Sequence, residues 1–238
     1  MRSMKFGAVA GVILAASLMW ASTASASAFT FTVGGTDAAG DPISAQANIG
    51  SASGVVSFTL TNLLANPKDV GQLLSDFSFT VSGTTGGLSI IENQSGLERT
   101  VAGNGTFTNG LSVEPNWSLS VSAGTIKLDN LAAGAAGPAH LLIGEPGAGG
   151  IYSNANGSIA GNGMHNPFLA GPVTWFLSVP GVTTDSSITN VVFSFGTTPG
   201  DNHAGTPVPE PASLLLVGSG LAALGAWGRK RRIEGNAA

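Results

Sequence analysis

Three histidines, His140, His165 and His203, stand far apart, with no H-x-x-x-H or H-E-x-x-H spacing. Zinc chemistry needs its ligands gathered in one place, so a zinc site here would have to be assembled wholly by the fold. There is no cysteine, which excludes disulfides, thiolate metal sites and cysteine nucleophiles. Serine is abundant, yet no G-x-S-x-G occurs. Gly50-Ser51-Ala52-Ser53-Gly54 puts alanine where a nucleophile elbow needs serine. Gly144-Glu145-Pro146-Gly147-Ala148-Gly149-Gly150 is glycine-rich but lacks the lysine and following helix of a phosphate-binding loop. Carboxylates come closest to a pattern. Asp37 and Asp41 flank Gly40 in a turn region, and Asp201-Asn202 follows the last strand-like run. Oxygen-rich loops of this kind suit Ca²⁺, although no EF-hand or nonapeptide pattern is present, and a solvated turn is the simpler reading. Aromatic faces can stack on sugars, and the candidates are Trp117, Trp175 and Tyr152. Both tryptophans fall in alternating runs and are expected in the core. Tyr152 sits in a long loop, where it could be exposed. No catalytic residue, metal ligand or cofactor is assigned, and the chain is read as a non-enzyme.

The elements that must carry these residues are mostly strands. Phe29, Phe31 and Val33 alternate with threonine; Val56, Phe58 and Leu60 alternate with serine and threonine. Phe77, Phe79 and Val81 repeat the pattern, as do Trp117, Leu119 and Val121. Val173, Trp175, Leu177 and Val179 form another set, and Val191, Phe193 and Phe195 the last. A period of two with a polar face predicts antiparallel strands half-buried against a second layer. Gly34-Gly35, Gly40-Asp41-Pro42, Gly86-Gly87, Asn104-Gly105 and Asn109-Gly110 punctuate the gaps as turns. The expectation is an all-β, antiparallel β-sandwich or jelly-roll-like body. Its core is expected to contain Phe31, Phe58, Phe79, Trp117, Trp175 and Phe193. One segment departs from the pattern. Val70, Leu73, Leu74 and Phe77 have helical spacing after Asn66-Pro67, which predicts one short helix at about 67–75, with Asn66 as N-cap and Pro67 at N1. Residues 134–163, rich in Gly, Ala and Asn, read as a long loop around a short strand at 140–143.

Charge sorts the chain into three parts. Only 9% of the 238 residues are charged and 43% are hydrophobic, which excludes a basic nucleic-acid binder and an ordinary disordered tail. Of nine Lys/Arg, only Lys68, Arg99 and Lys127 lie between residues 29 and 207. Eleven of the thirteen acids lie there, all but Glu210 and Glu234, so this middle carries a net charge of −8.

The two ends read as sorting elements. Arg2 and Lys5 precede an apolar run at residues 6–20, and small residues fill 21–28. This is the order of a secretory signal peptide, and the run is short for a bilayer crossing of ~20 residues. Two A-x-A sites occur, Ala24-Ser25-Ala26 and Ala26-Ser27-Ala28. Cleavage after Ala28 is preferred, because Phe29 then opens a strand, and residues 1–28 form the leader. At the other end, Pro-rich 204–211 gives way to uncharged 212–228, ~25 Å as a helix and just long enough to cross a membrane. Arg229, Lys230, Arg231 and Arg232 follow directly. A basic cluster stays on the cytoplasmic side, so the body is expected outside.

Val208-Pro209-Glu210-Pro211-Ala212-Ser213-Leu214-Leu215-Leu216, the glycine-containing apolar run and the basic cluster together resemble the PEP-CTERM sorting signal of Gram-negative bacteria. Motif, span and stop occur in the family's order, over residues 208–232. The resemblance implies recognition by an exosortase, a membrane transpeptidase that cuts near the motif, and an association with exopolysaccharide. Phe58-Thr59-Leu60-Thr61-Asn62, Gly71-Gln72-Leu73-Leu74-Ser75 and the stretch 191–200 are also similar to bodies of such proteins, more weakly, and bring no activity. The division is therefore a signal peptide with its helix at 1–28, an extracytoplasmic domain at 29–207, and a sorting signal at 208–232 with a transmembrane helix at 212–228. The reading is an exported, exosortase-sorted surface or matrix protein without enzymatic activity. Its partners are exosortase, extracellular polysaccharide and the inner membrane, and not nucleic acid. The alternative is a carbohydrate- or calcium-binding adhesion module held permanently by a C-terminal transmembrane helix.

Overall fold

The computed structural model describes residues 27–84, 87, 89–90, 95–131, 138–209 and 219. The expected leader helix lies almost wholly outside these residues, and so does the expected transmembrane helix at 212–228, except for Ser219. Among the described residues no helix is long and apolar enough to cross a membrane.

The regular structure of the described residues is almost wholly strands. They are β1 (Ser27–Thr36), β2 (Pro42–Ala52), β3 (Val55–Asn62), β4 (Leu74–Val81), β5 (Ser89–Ile90), β6 (Ser95–Val101), β7 (Phe107–Val113), β8 (Ser118–Ser122), β9 (Thr125–Asp129), β10 (Leu142–Ile143), β11 (Phe168–Ser178), β12 (Ile188–Phe195), β13 (Asn202–Ala204) and β14 (Thr206–Val208). All belong to one mixed sheet whose main path runs β13-β12-β4-β10-β11-β3-β2-β1-β14. β10 pairs antiparallel with β4 and parallel with β11. The expected antiparallel sandwich is thus met in its all-β character, but the layers are one continuous sheet with a parallel step. The two halves nevertheless share a core. Phe58 on β3 lies 5.4 Å from Phe77 and 5.5 Å from Phe79 on β4, a strand that is not its neighbour. The sheet therefore folds back on itself, with the two-residue β10 as its crease.

Alternation explains which side chains meet. Along β3, Val56, Phe58 and Leu60 point inward between half-exposed serine, threonine and valine. Burying each such side chain contributes on the order of 2 kcal/mol. β2 supplies small partners. Ala47 pairs with Phe31 on one side and Leu60 on the other, and its methyl leaves room for both. The six expected core aromatics are all buried, with Trp117 2% exposed and Trp175 not at all. Trp175 stacks on Phe58 at 5.4 Å, and Trp117 lies 5.2 Å from it. Val121 departs from expectation: it is exposed, on a strand that among the described residues pairs with β9 alone.

The helical segment is shorter than expected. It is a single 3-10 turn, Val70–Gln72, and its cap is Asp69 rather than Asn66. Asp69 accepts from the Gly71 N–H, and the Gln72 side chain closes a capping box. Leu74 and Phe77 belong to β4, so their helical spacing was a coincidence of strand and turn.

The long segment after β9 does contain the short strand β10, but it is packed rather than solvated. Leu141, Ile143, Tyr152 and Ile159 join Leu73, Val101 and Phe168 in a second apolar cluster. Tyr152 is 1% exposed, which corrects the surface reading. Its hydroxyl donates to the Gly144 carbonyl at 2.8 Å and accepts from Arg99 Nη1 at 2.9 Å. The Arg99 guanidinium lies 4.4 Å over the Phe107 ring and reaches Asn109 Oδ1 at 3.0 Å. A buried cation with these partners ties the segment to β6 and β7.

β13 and β14 are separated only by Gly205, yet they pair with opposite ends of the sheet path. β13 joins β12 (Phe193 opposite His203), and β14 joins β1 (Phe31 opposite Pro207). Residues 202–208 therefore strap the two ends of the sheet together. Gly205 allows this close approach, since a Cβ there would lie 2.9 Å from the Phe193 ring.

Candidate functional site

Two places carry chemistry: the junction where the sorting motif leaves the body, and an acidic cleft beside the β1–β2 turn.

At the junction, β14 is exposed throughout and lies on β1, with Val208 opposite Thr30 and Thr206 opposite Thr32. Proline lacks an amide donor and is tolerated at a sheet edge, and both Pro207 and Pro209 stand here. Their missing N–H groups also blunt the edge against further pairing. Pro209, the first motif proline, follows the last paired residue and is exposed. The motif therefore begins without a spacer. The start of β1 lies beside it. Ala28 is exposed opposite Gly50, and Phe29 is partly buried against the main core opposite Ile49. Ser27 also pairs, with Ser51, and its hydroxyl donates to the Thr184 carbonyl. Ala26, Glu210, Pro211 and the basic residues Arg229, Lys230, Arg231 and Arg232 lie outside the described residues.

The acidic cleft is built by three loops. Asp37 opens the β1–β2 turn, closed by the Asp37 N–H to the Asp41 carbonyl at 2.8 Å, with Gly40 at φ +89°. Asp37 Oδ1 accepts from the Ala39 and Asp41 amides, each at 2.9 Å. Its Oδ2 has no hydrogen-bond partner among the described residues, although the residue is only 7% exposed. A buried carboxylate oxygen left unpaired is costly. Asp69 arrives from the 3-10 cap, which Gln72 Nε2 ties to the Pro42 carbonyl at 2.8 Å. Carboxylate oxygens of Asp37, Asp41 and Asp69 lie within 4.8 Å of one another. Burial pushes the Asp69 carboxyl above its ordinary value, and the charges of Asp37 and Asp41 add to this. Lys68 Nζ holds Asp41 Oδ2 at 2.7 Å, which raises the lysine pKa. Asp201 forms the far wall beside Phe195 and Gly196, accepting from the Ala38 amide at 3.3 Å and meeting His203 Nε2 at 2.8 Å. Of the sequence candidates, the fold brings Asp37, Asp41 and Asp201 together. Asp69 was missed, because a capping aspartate 28 residues beyond Asp41 carries no spacing signal.

The remaining candidates stay apart. His140 meets Glu98 and the Pro115 carbonyl, His165 meets the Pro138 carbonyl, and His203 meets Asp201. A separate ionic group lies between β4 and β9, where Lys127 bridges Asp129 and buried Asp76 at 2.5 and 3.3 Å. Burial, with Asp129 alongside, pushes Asp76 up to about 6. Burial also raises Asp129, but hydrogen bonds from Lys127 and Asp76 outweigh it and hold that carboxyl low. A folded-state pKa above the unfolded value contributes stability at low pH that is lost as pH rises through it. Between pH 4 and 7 the Asp76 contribution therefore falls. Asp76→Asn keeps an oxygen for the Asn130 amide and removes the titration. Its stability relative to wild type is expected to rise by roughly 1–3 kcal/mol from pH 4 to pH 7. Urea melts at several pH values check this, and parallel pH profiles would refute it.

Residues 207–232 match the PEP-CTERM protein-sorting motif. No curated protein and no solved structure matches the chain. The motif implies export, targeting to an exosortase and sorting to the cell surface.

Proposed function

We propose that the chain is a non-enzymatic surface or extracellular-matrix protein, associated with exopolysaccharide, whose tail an exosortase removes. The observation that carries this reading is the junction. The match begins at Pro207, inside the last strand, which straps the sheet closed, and Pro209-Glu210-Pro211 follows that strand directly. A cut at or beyond Pro209 leaves every described strand intact, so the body survives loss of the tail unchanged. The uncharged run 212–228 supplies insertion, and the basic residues that follow fix its orientation with the motif outside.

Signal cleavage after Ala28 would remove Ser27 and Ala28 from β1, whereas cleavage after Ala26 would keep the strand whole. Removal of the leader at either site leaves Phe29 on the core. The buried state of Trp117, Trp175 and Tyr152 takes these rings away from sugar stacking. Any polysaccharide contact then falls to the serine- and threonine-rich outer faces and to partly exposed Phe176. The permanent-anchor alternative is separated by fractionation. A processed protein should leave washed cells or matrix without detergent, and one that needs detergent for release keeps its span.

A further inference from the structure

We propose that Asp37, Asp41 and Asp69 form a Ca²⁺ site that clamps the β1–β2 turn to the cap of the 3-10 turn. Three observations converge. The ligand oxygens lie within 4.8 Å of one another, close enough for one ion with ~2.4 Å bonds to touch all three. Asp37 Oδ2 is buried and has no partner among the described residues, while its sister oxygen accepts from two amides. That leaves Oδ2 as a preformed acceptor awaiting a donor or a cation. Gly71 then shows where it points. A Cβ on Gly71 would sit 2.7 Å from Asp37 Oδ2 and 2.9 Å from Asp69 Oδ1, so both oxygens face the same bare stretch of backbone.

The ligand set is all oxygen and comes from loops, which suits the flexible six-to-eightfold shell of Ca²⁺. Water completes the shell. Lys68 partly neutralises the group by holding Asp41 Oδ2, and its side chain is 55% exposed, free to turn out as the ion enters. An exported domain meets Ca²⁺ at the concentrations that extracellular modules bind, with Kd of ~10⁻⁴–10⁻³ M. The site does not depend on the sorting reading, since its ligands all lie in the body.

The test uses the full chain in detergent, stripped with a chelator and titrated with CaCl₂ by calorimetry and thermal melting. Saturable binding is expected, with Tm raised by roughly 5–10 °C at a hundredfold excess over Kd. Mg²⁺ at the same concentration should raise it less. Asp37→Asn keeps Oδ1 for the two amides and replaces the free oxygen by an NH₂, so it should weaken binding at least tenfold. Asp69→Asn should do the same by a route that leaves the β1–β2 turn untouched, and it decides the matter if Asp37→Asn fails to fold. Asp185→Asn, exposed and next to Thr184 at the start of β1, the opposite end of that strand from Asp37, should respond like wild type. No heat and no Tm change at ~10 mM Ca²⁺, an equal response to Mg²⁺, or an unchanged response in Asp69→Asn would overturn the proposal.

Discussion

Replacing Pro209, Glu210 and Pro211 by alanine is expected to abolish tail removal and leave the protein in the inner membrane. The prolines keep the backbone extended and out of helix, which a transpeptidase cleft requires. Glu210 supplies the only charge between Asp201 and Arg229. The substitution touches neither the strap nor the core, because β14 ends at Val208 and is exposed. Folding of the body should therefore be unaffected, and the change should appear only in processing. Alanine also favours helix, so the apolar segment would extend toward the body and bury the cutting site. A triple variant processed like the parent in a host with its exosortase would refute the assignment of the motif.

Trp175→Ala is expected to destabilise the body by about 3–5 kcal/mol, a large part of a domain's total stability. Trp175 is fully buried where the two halves of the sheet meet, between Phe58 and Trp117. Its removal opens a cavity against both. Trp175→Phe should cost much less. The indole N–H has no hydrogen-bond acceptor among the described residues, so phenylalanine relieves an unpaired buried donor while keeping most of the ring contact. Denaturant melts of the two variants give the comparison. Equal losses would contradict this, because a phenyl ring at the position would then keep none of the packing against Phe58 and Trp117.

The strands were legible where large side chains alternate. β3, β4, β11 and β12 announce themselves through Phe58, Phe79, Trp175 and Phe193, because bulky apolar residues at a period of two have few other uses. β2 is quieter: Ile43, Ala45, Ala47 and Ile49 also alternate, but alanine carries little strand preference. Only the neighbours Phe31 and Leu60 show why small residues belong there. The single mixed sheet and the strap were not legible, since a two-residue strand at 142–143 and a turn at Gly205 decide them. Tyr152 misleads for a related reason. Its glycine-rich surroundings read as solvated loop, and the burial comes from Arg99 and Phe107, some fifty residues earlier. The acidic cleft was half legible. Asp37 and Asp41 share a turn and can be paired by eye, whereas Asp69 joins them only through the fold.

Mass spectrometry of both termini of the protein recovered from the cell surface or matrix puts the sorting account to trial. The expected mature chain begins after Ala26 or Ala28 and ends close to Pro209-Glu210-Pro211, without Arg229, Lys230, Arg231 and Arg232. A surface protein that still carries those four basic residues would mean that the tail is a permanent anchor and that the motif is not cut.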